Sequence, residues 1–175
     1  MTSSDSRRPW TLLLMAAAFL VMVTLGIRQS FGLFLLPVTE ALGTGREVFS
    51  LALALQNLLW GIASPFAGAL ADKFGAGRVA AIGTLFYAGG LVVMASFVSP
   101  SGLMMGQLMI GIGLGSAGVS IALGAVARAV APEKRSLALG MVTSIGSFGQ
   151  FAVLPVTQIF IDGYGWQVSL LLLSG

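Results

Sequence analysis

Apolar residues run along this chain in long unbroken stretches, and polar residues gather in the short gaps between them. A bilayer core about 30 Å thick needs roughly 20 apolar residues in helical form. Five stretches meet that requirement, at residues 10–36, 48–71, 79–98, 102–127 and 137–161. A sixth covers 166–175 and reaches the last residue at about half the length a span needs. The connectors, at 37–47, 72–78, 99–101, 128–136 and 162–165, carry Gly, Pro, Ser and charged residues. They leave no room for a soluble domain. Two-residue alternation is absent, which argues against a membrane barrel. The pattern predicts an all-α, polytopic membrane helix bundle made of successive helical hairpins, with residues 1–175 as one unit and its sixth helix cut short.

Composition sharpens this reading. The chain is 57% hydrophobic and 9% charged, with a mean hydropathy of +0.97. Soluble domains carry about 25% charged residues, so the lipid bilayer must be the solvent for most of this surface. The net charge of +3 does not indicate nucleic acid, because the Lys and Arg residues stand singly between apolar runs and form no basic stripe. With no Cys and no His, disulfides, thiol catalysis, His-based metal sites and a His proton switch are excluded. Lys73 and Lys134 both fall in connectors, so a Ser-Lys dyad is unavailable as well. No catalytic group, metal site or cofactor is expected, and an enzyme is not.

Ser6-Arg7-Arg8-Pro9-Trp10 before an apolar run could be read as an export signal. The run continues past Arg28 without a small-residue cleavage site, and further spans follow, so it is retained here as helix one. With the N-terminus inside, the cytoplasmic side holds Arg7, Arg8, Lys73, Arg78, Arg128, Lys134 and Arg135, against Arg46 outside. This positive-inside bias predicts a multi-pass protein of the inner (plasma) membrane with a cytoplasmic N-terminus.

The densest constellation is Gly68-x-x-x-Asp72-Lys73-x-Gly75-x-x-Arg78, between helices two and three. Gly68 would let helix backbones approach, and Gly75 and Gly77 would permit a tight reversal. Lys73 and Arg78 would hold the loop inside. Asp72 would lie at the unfavourable end of a helix dipole and so calls for a partner, either a nearby Arg or another helix N-terminus. An ordinary charged turn is the plain alternative.

This constellation resembles the signature of the major facilitator superfamily between its second and third helices. Helix spacing, the inside N-terminus and the Pro132-Glu133-Lys134-Arg135 loop extend the resemblance over all 175 residues. The run from Gly26 to Gly43, followed by Arg46-Glu47-Val48-Phe49-Ser50, is similar to the monocarboxylate and oxalate-formate porter branch. The resemblance implies the N-terminal six-helix half of a twelve-helix transporter working by alternating access. It also implies a missing C-terminal half as partner, with Asp72 contacting that half to favour an outward-facing state. Two departures stand out. Many proton-coupled members carry an Arg in helix four where this chain has Gln107, and drug antiporters carry a Gly-Pro pair in helix five where it has Gly146-Ser147-Phe148-Gly149.

Arg28 is the leading candidate for substrate contact. A charge inside a span costs about 2.5–3.5 kcal/mol on insertion scales and usually faces a cavity or partner. No acidic residue lies within the five full stretches, so the ligand could supply the counter-ion. Guanidinium holds a carboxylate through two parallel hydrogen bonds. The alternative places Arg28 at the outer interface, with residues 31–36 lying along the membrane surface. Gln29, Phe31, Asn57, Gln107 and Gln150 complete the candidate substrate-binding set for a small organic anion, a monocarboxylate or dicarboxylate. Thr143, Ser147, Gln150 and Thr157 share one helical face that lines the path or joins helices, and of Gln56 and Asn57 on helix two at least one is read as helix packing. Phe31, Trp60 and Phe148 could wall the path or meet lipid. Gly111/Gly115, Gly140/Ser144 and Ser64/Gly68 have small-residue packing spacing. A multidrug or sugar facilitator, or a non-transporting scaffold subunit, remains the alternative function.

Overall fold

The computed structural model describes residues 8–175, with side chains described from residue 11 onward. The leader-like run at 6–10, with Arg7 and Arg8, lies outside the described side chains. The described chain folds into helices α1 (Arg8–Leu42), α2 (Arg46–Phe74), α3 (Ala76–Ser96), α4 (Pro100–Ala117), α5 (Val119–Ala129) and α6 (Pro132–Ser174). Five segments are long and apolar enough to cross a membrane: α1 from Thr11, α2, α3, α4 with α5, and α6. The all-α polytopic bundle is what the hydropathy pattern predicts.

Two boundaries differ from that pattern for identifiable reasons. Pro37 lies inside α1 instead of ending it. Proline removes one backbone donor, and membrane helices tolerate the loss where side chains satisfy nearby carbonyls. Here the turn after Pro37 is held by packing, with Val38 and Thr39 2% and 6% exposed, while the Thr39 hydroxyl donates to its own i−4 carbonyl, Leu35, at 2.7 Å. The fourth span breaks at Gly118, whose extended backbone (φ −79°, ψ −168°) separates α4 from α5. A side chain there would strike the Leu114 carbonyl.

Other ends follow local chemistry. Ser99 caps α4, its hydroxyl accepting from the Gly102 amide at 3.0 Å, with Pro100 opening the first turn. The reversal between α2 and α3 falls on Gly75 alone, at φ 94°. Gly77 is already inside α3. Gly165, at φ 79°, divides α6 into two arms. The second arm returns along the bundle: Trp166 lines a small cavity with Val38, Leu42 and Phe97, while Leu173 lines a groove farther down with Leu20 and Thr84.

Packing rests on bare backbone. Helices α3 and α4 run antiparallel, with Gly83, Gly90, Gly106 and Gly113 at their crossing. A Cβ on Gly90 would stand 2.6 Å from the Gly106 carbonyl oxygen, and one on Gly113 2.7 Å from the Tyr87 nitrogen. Gly111 and Gly115 let α4 onto α2, against Gln56 and Ala63. Gly26 and Gly149 let α1 onto α6. By contrast, a Cβ on Gly68 or Gly140 would meet nothing within 4 Å. Within the described residues, those two glycines do not bring helices together.

The main core lies among α1, α2, α3, α4 and the second arm of α6, centred on Phe31, Phe34, Phe49, Leu91, Ile110 and Leu170. A second cluster, around Val21, Val126 and Val142, joins α1, α5 and α6 nearer their other end. Large apolar side chains such as Leu85 and Phe151 point outward, which costs nothing where lipid replaces water.

Candidate functional site

Continuation of α1 through Pro37 places Arg28 near the middle of the Thr11–Leu42 span. Phe31 and Phe34 are 1% and 0% exposed, so residues 31–36 do not form a surface segment. The interfacial alternative for Arg28 is therefore replaced by a cation midway along a membrane-crossing helix.

Its partners come from α2. Asn57 and Trp60 are three positions apart and thus neighbours on one helix face. The Asn57 amide nitrogen donates to the Leu53 carbonyl at 2.8 Å, which turns its oxygen outward. Arg28 Nη2 donates to that oxygen at 2.7 Å, a charge-assisted bond at the short end of the usual range. The guanidinium carbon stands 4.9 Å from the Trp60 ring centroid, in cation–π range. Arg28 Nε is buried with no hydrogen-bond partner.

The remaining candidates are dispersed. Gln29 is exposed and Gln150 half-buried, and no hydrogen bond joins either to Arg28. Phe31 packs in the core, 6.4 Å from Phe34 centroid to centroid. Gln107 is 0% exposed, and both of its amide atoms lack a partner. Gln56 Nε2 and Thr157 Oγ1 are likewise buried and unpaired. On α6, Thr143, Ser147 and Phe148 are exposed while Thr157 is buried, so that polar face does not act as one surface.

Asp72 has a partner within the chain. Arg128 Nη1, in the last turn of α5, stands 3.1 Å from its carboxylate. This is the nearby-Arg solution to the dipole problem. The pair is well exposed, at 54% and 68%, so it adds only about 0.2–1 kcal/mol. Its geometry matters more, since it ties the end of α2 to the end of α5. Lys73 lies over the Phe74 ring at 5.2 Å, and Arg78 is exposed on α3.

Reading the sequence did not single out Tyr87 or assign Arg128 and Trp60 these roles. Tyr87 donates to the Thr24 carbonyl at 3.2 Å, pinning α3 to α1 one turn before Arg28. The Asn57/Trp60 spacing was the available signal for Trp60. An apolar groove of about 460 Å³ lies between α1 and α3, walled by Ala16, Leu20, Thr84 and Leu173, but it does not reach Arg28. Among the described residues, no group of His, Cys, Asp or Glu is placed to hold a metal ion.

Comparison with known proteins agrees with this architecture. A Bacillus subtilis (strain 168) protein provisionally designated a niacin/nicotinamide transporter, NiaP, is 33% identical over 105 residues, covering 60% of this chain and 26% of that protein. Monocarboxylate transporter 11 of Mus musculus is 31% identical over 173 residues, covering 94% of this chain and 37% of that one. An uncharacterised transporter of the same superfamily type, YcxA of Bacillus subtilis (strain 168), is 25% identical over 168 residues and covered over 40% of its length. The chain thus spans between about a quarter and two-fifths of the length of these relatives. Residues 8–175 match the family described as Major Facilitator Superfamily, and the chain belongs to that family.

Proposed function

We propose that this chain supplies one half of the pathway of a secondary transporter for a small organic anion, and that Arg28 receives the anion's carboxylate. The observation carrying this reading is the mid-span cation with one buried, unpartnered N–H. Such a group is expensive in a membrane unless something answers it. The relatives support a transport role, and niacin and monocarboxylates are both carboxylic acids. Asn57 and Trp60 frame the site. Alternating access would rock this half against another across the Arg28 level.

Binding of radiolabelled monocarboxylates to the purified chain in lipid nanodiscs tests the site. Arg28→Gln is expected to weaken binding at least about tenfold, as for loss of a charged hydrogen-bond partner. Undiminished binding by that variant would remove the proposal. Counterflow by the chain alone in liposomes is expected to be absent, since the path lies between two halves.

Neutral cargo is the second reading. It is favoured by the existing contacts of Arg28 to Asn57 and Trp60, which partly satisfy the cation without any anion. Preference for nicotinamide over nicotinate, unchanged in Arg28→Gln, would select it. We further place the N-terminus in the cytoplasm at the plasma membrane, because Lys73, Arg78, Arg128, Lys134 and Arg135 collect at one set of helix ends. Cysteine introduced at Arg78 or Arg46 in this cysteine-free chain would report the sidedness.

A further inference from the structure

We propose that Asn57 is a stand-in ligand: its carboxamide oxygen occupies the Arg28 edge that a substrate carboxylate takes over, so anion binding opens the hydrogen bond joining α1 to α2. The inference rests on the anion-site reading above and deepens it. It reverses the ordinary role for a polar neighbour, because Asn57 competes with the substrate instead of helping to hold it.

The geometry of the guanidinium carries the argument. Nε–H and Nη2–H point the same way and form the edge that takes a carboxylate through two parallel bonds. Asn57 engages Nη2 at 2.7 Å, while Nε on the same edge is buried and has no partner. An amide offers a single oxygen, and the other terminal atom of Asn57 is a donor already committed to the Leu53 carbonyl at 2.8 Å. The Asn57 side chain therefore fills half of a two-pronged site. A carboxylate has a second oxygen for the Nε–H and a full negative charge for the cation. It can displace the amide and satisfy a donor that is otherwise stranded in a low-dielectric interior.

Displacement has a mechanical result. Trp60 remains stacked on the guanidinium face while Arg28 releases Asn57, so the link from α1 to α2 loses its directional bond and keeps its non-directional one. Ligand occupancy is thereby coupled to how firmly the two helices are joined.

The test uses Trp60 as reporter, in the chain carrying Trp10→Phe and Trp166→Phe and reconstituted in lipid nanodiscs. Emission is followed while sodium propionate is added at constant ionic strength, with propionamide and sodium chloride as controls. The expected result is a saturable change with propionate only. Asn57→Ala should bind propionate about tenfold more tightly, since a competing hydrogen bond to a charged group is gone. Asn57→Asp should show no response over the same range. The new side chain carries two oxygens of its own, and it fills the edge permanently. Weaker binding by Asn57→Ala, or an unchanged response in Asn57→Asp, overturns the stand-in role while leaving the anion site intact. No response in the parent chain, or one that persists in Arg28→Gln, removes both. Circular dichroism and elution volume qualify each variant, with Asn57→Ser replacing an alanine variant that fails to fold.

Discussion

Adding one methyl group at Gly90 should loosen the bundle, whereas the same change at Gly140 should not. A Cβ at Gly90 would stand 2.6 Å from the Gly106 carbonyl oxygen, 2.6 Å from Ile110 Cγ1 and 3.1 Å from the Ile110 nitrogen. Two of those atoms are backbone and cannot rotate away. Ordinary carbon contacts lie near 3.5–4.0 Å, so α3 and α4 must part by several tenths of an ångström along a crossing that also includes Gly83 and Gly113. A gap of about 0.5–1 Å forfeits a quarter to a half of each atom pair's attraction. Overpacking of this kind costs about 1–3 kcal/mol. Alanine regains up to about 1 kcal/mol of helix propensity over glycine, leaving a net loss of up to about 2 kcal/mol for Gly90→Ala. At Gly140 nothing lies within 4 Å, so only the propensity gain remains and the sign reverses. Reversible unfolding in mixed micelles, followed by circular dichroism, compares the two directly. Equal stability of both variants would refute the claim that bare glycine backbone sets the α3–α4 distance.

Breaking the exposed Asp72–Arg128 pair by Asp72→Asn should cost no more than about 1 kcal/mol in the same assay. The charge-swapped Asp72→Arg/Arg128→Asp double variant should recover part of that, with both effects fading in high salt. Tyr87→Phe should cost about 0.5–1.5 kcal/mol by deleting the bond to the Thr24 carbonyl, read as a lower unfolding midpoint with unchanged helix content. Ser99→Ala should cost about 1 kcal/mol by uncapping α4, and hydrogen exchange should locate the loss in the first turn after Pro100.

Most of the architecture was legible because a bilayer imposes a length on every apolar run, and that length can be counted without knowing any contact. The constellation around Asp72 was equally plain, because a carboxylate at a helix end demands a partner. Its partner was less plain. Arg128 is 56 positions away, and nothing local distinguishes it from Arg135, which also lies beyond the fourth span. The two misplaced boundaries share a cause. Proline and glycine are strong punctuation in water, but in a membrane helix their effect depends on whether a neighbour takes up the freed backbone groups. After Pro37 the buried Val38 and Thr39 hold the next turn against the core, and the helix continues. At Gly118 the backbone turns extended, and the span divides.

That boundary decides the site. Had α1 ended at Leu36, Arg28 would lie close enough to a helix end to reach the interface along its own flexible stem, and its charge would need no explanation. The extra turn and a half contributed by residues 37–42 moves the helix end away and leaves the cation near mid-span. Its cost then has to be met locally. Asn57 and Trp60 meet part of it, through a single hydrogen bond and a ring face, and the unpaired Nε marks what they do not meet. Gln107 presents the opposite case: a polar side chain equally deep, with both amide atoms unpaired, but uncharged and wholly enclosed by its own helices. Hydropathy patterning flags both residues alike. Only the packing separates a polar group enclosed within the bundle from a half-buried cation whose buried, unpaired Nε lies on the edge covered by the exposed side chain of Asn57.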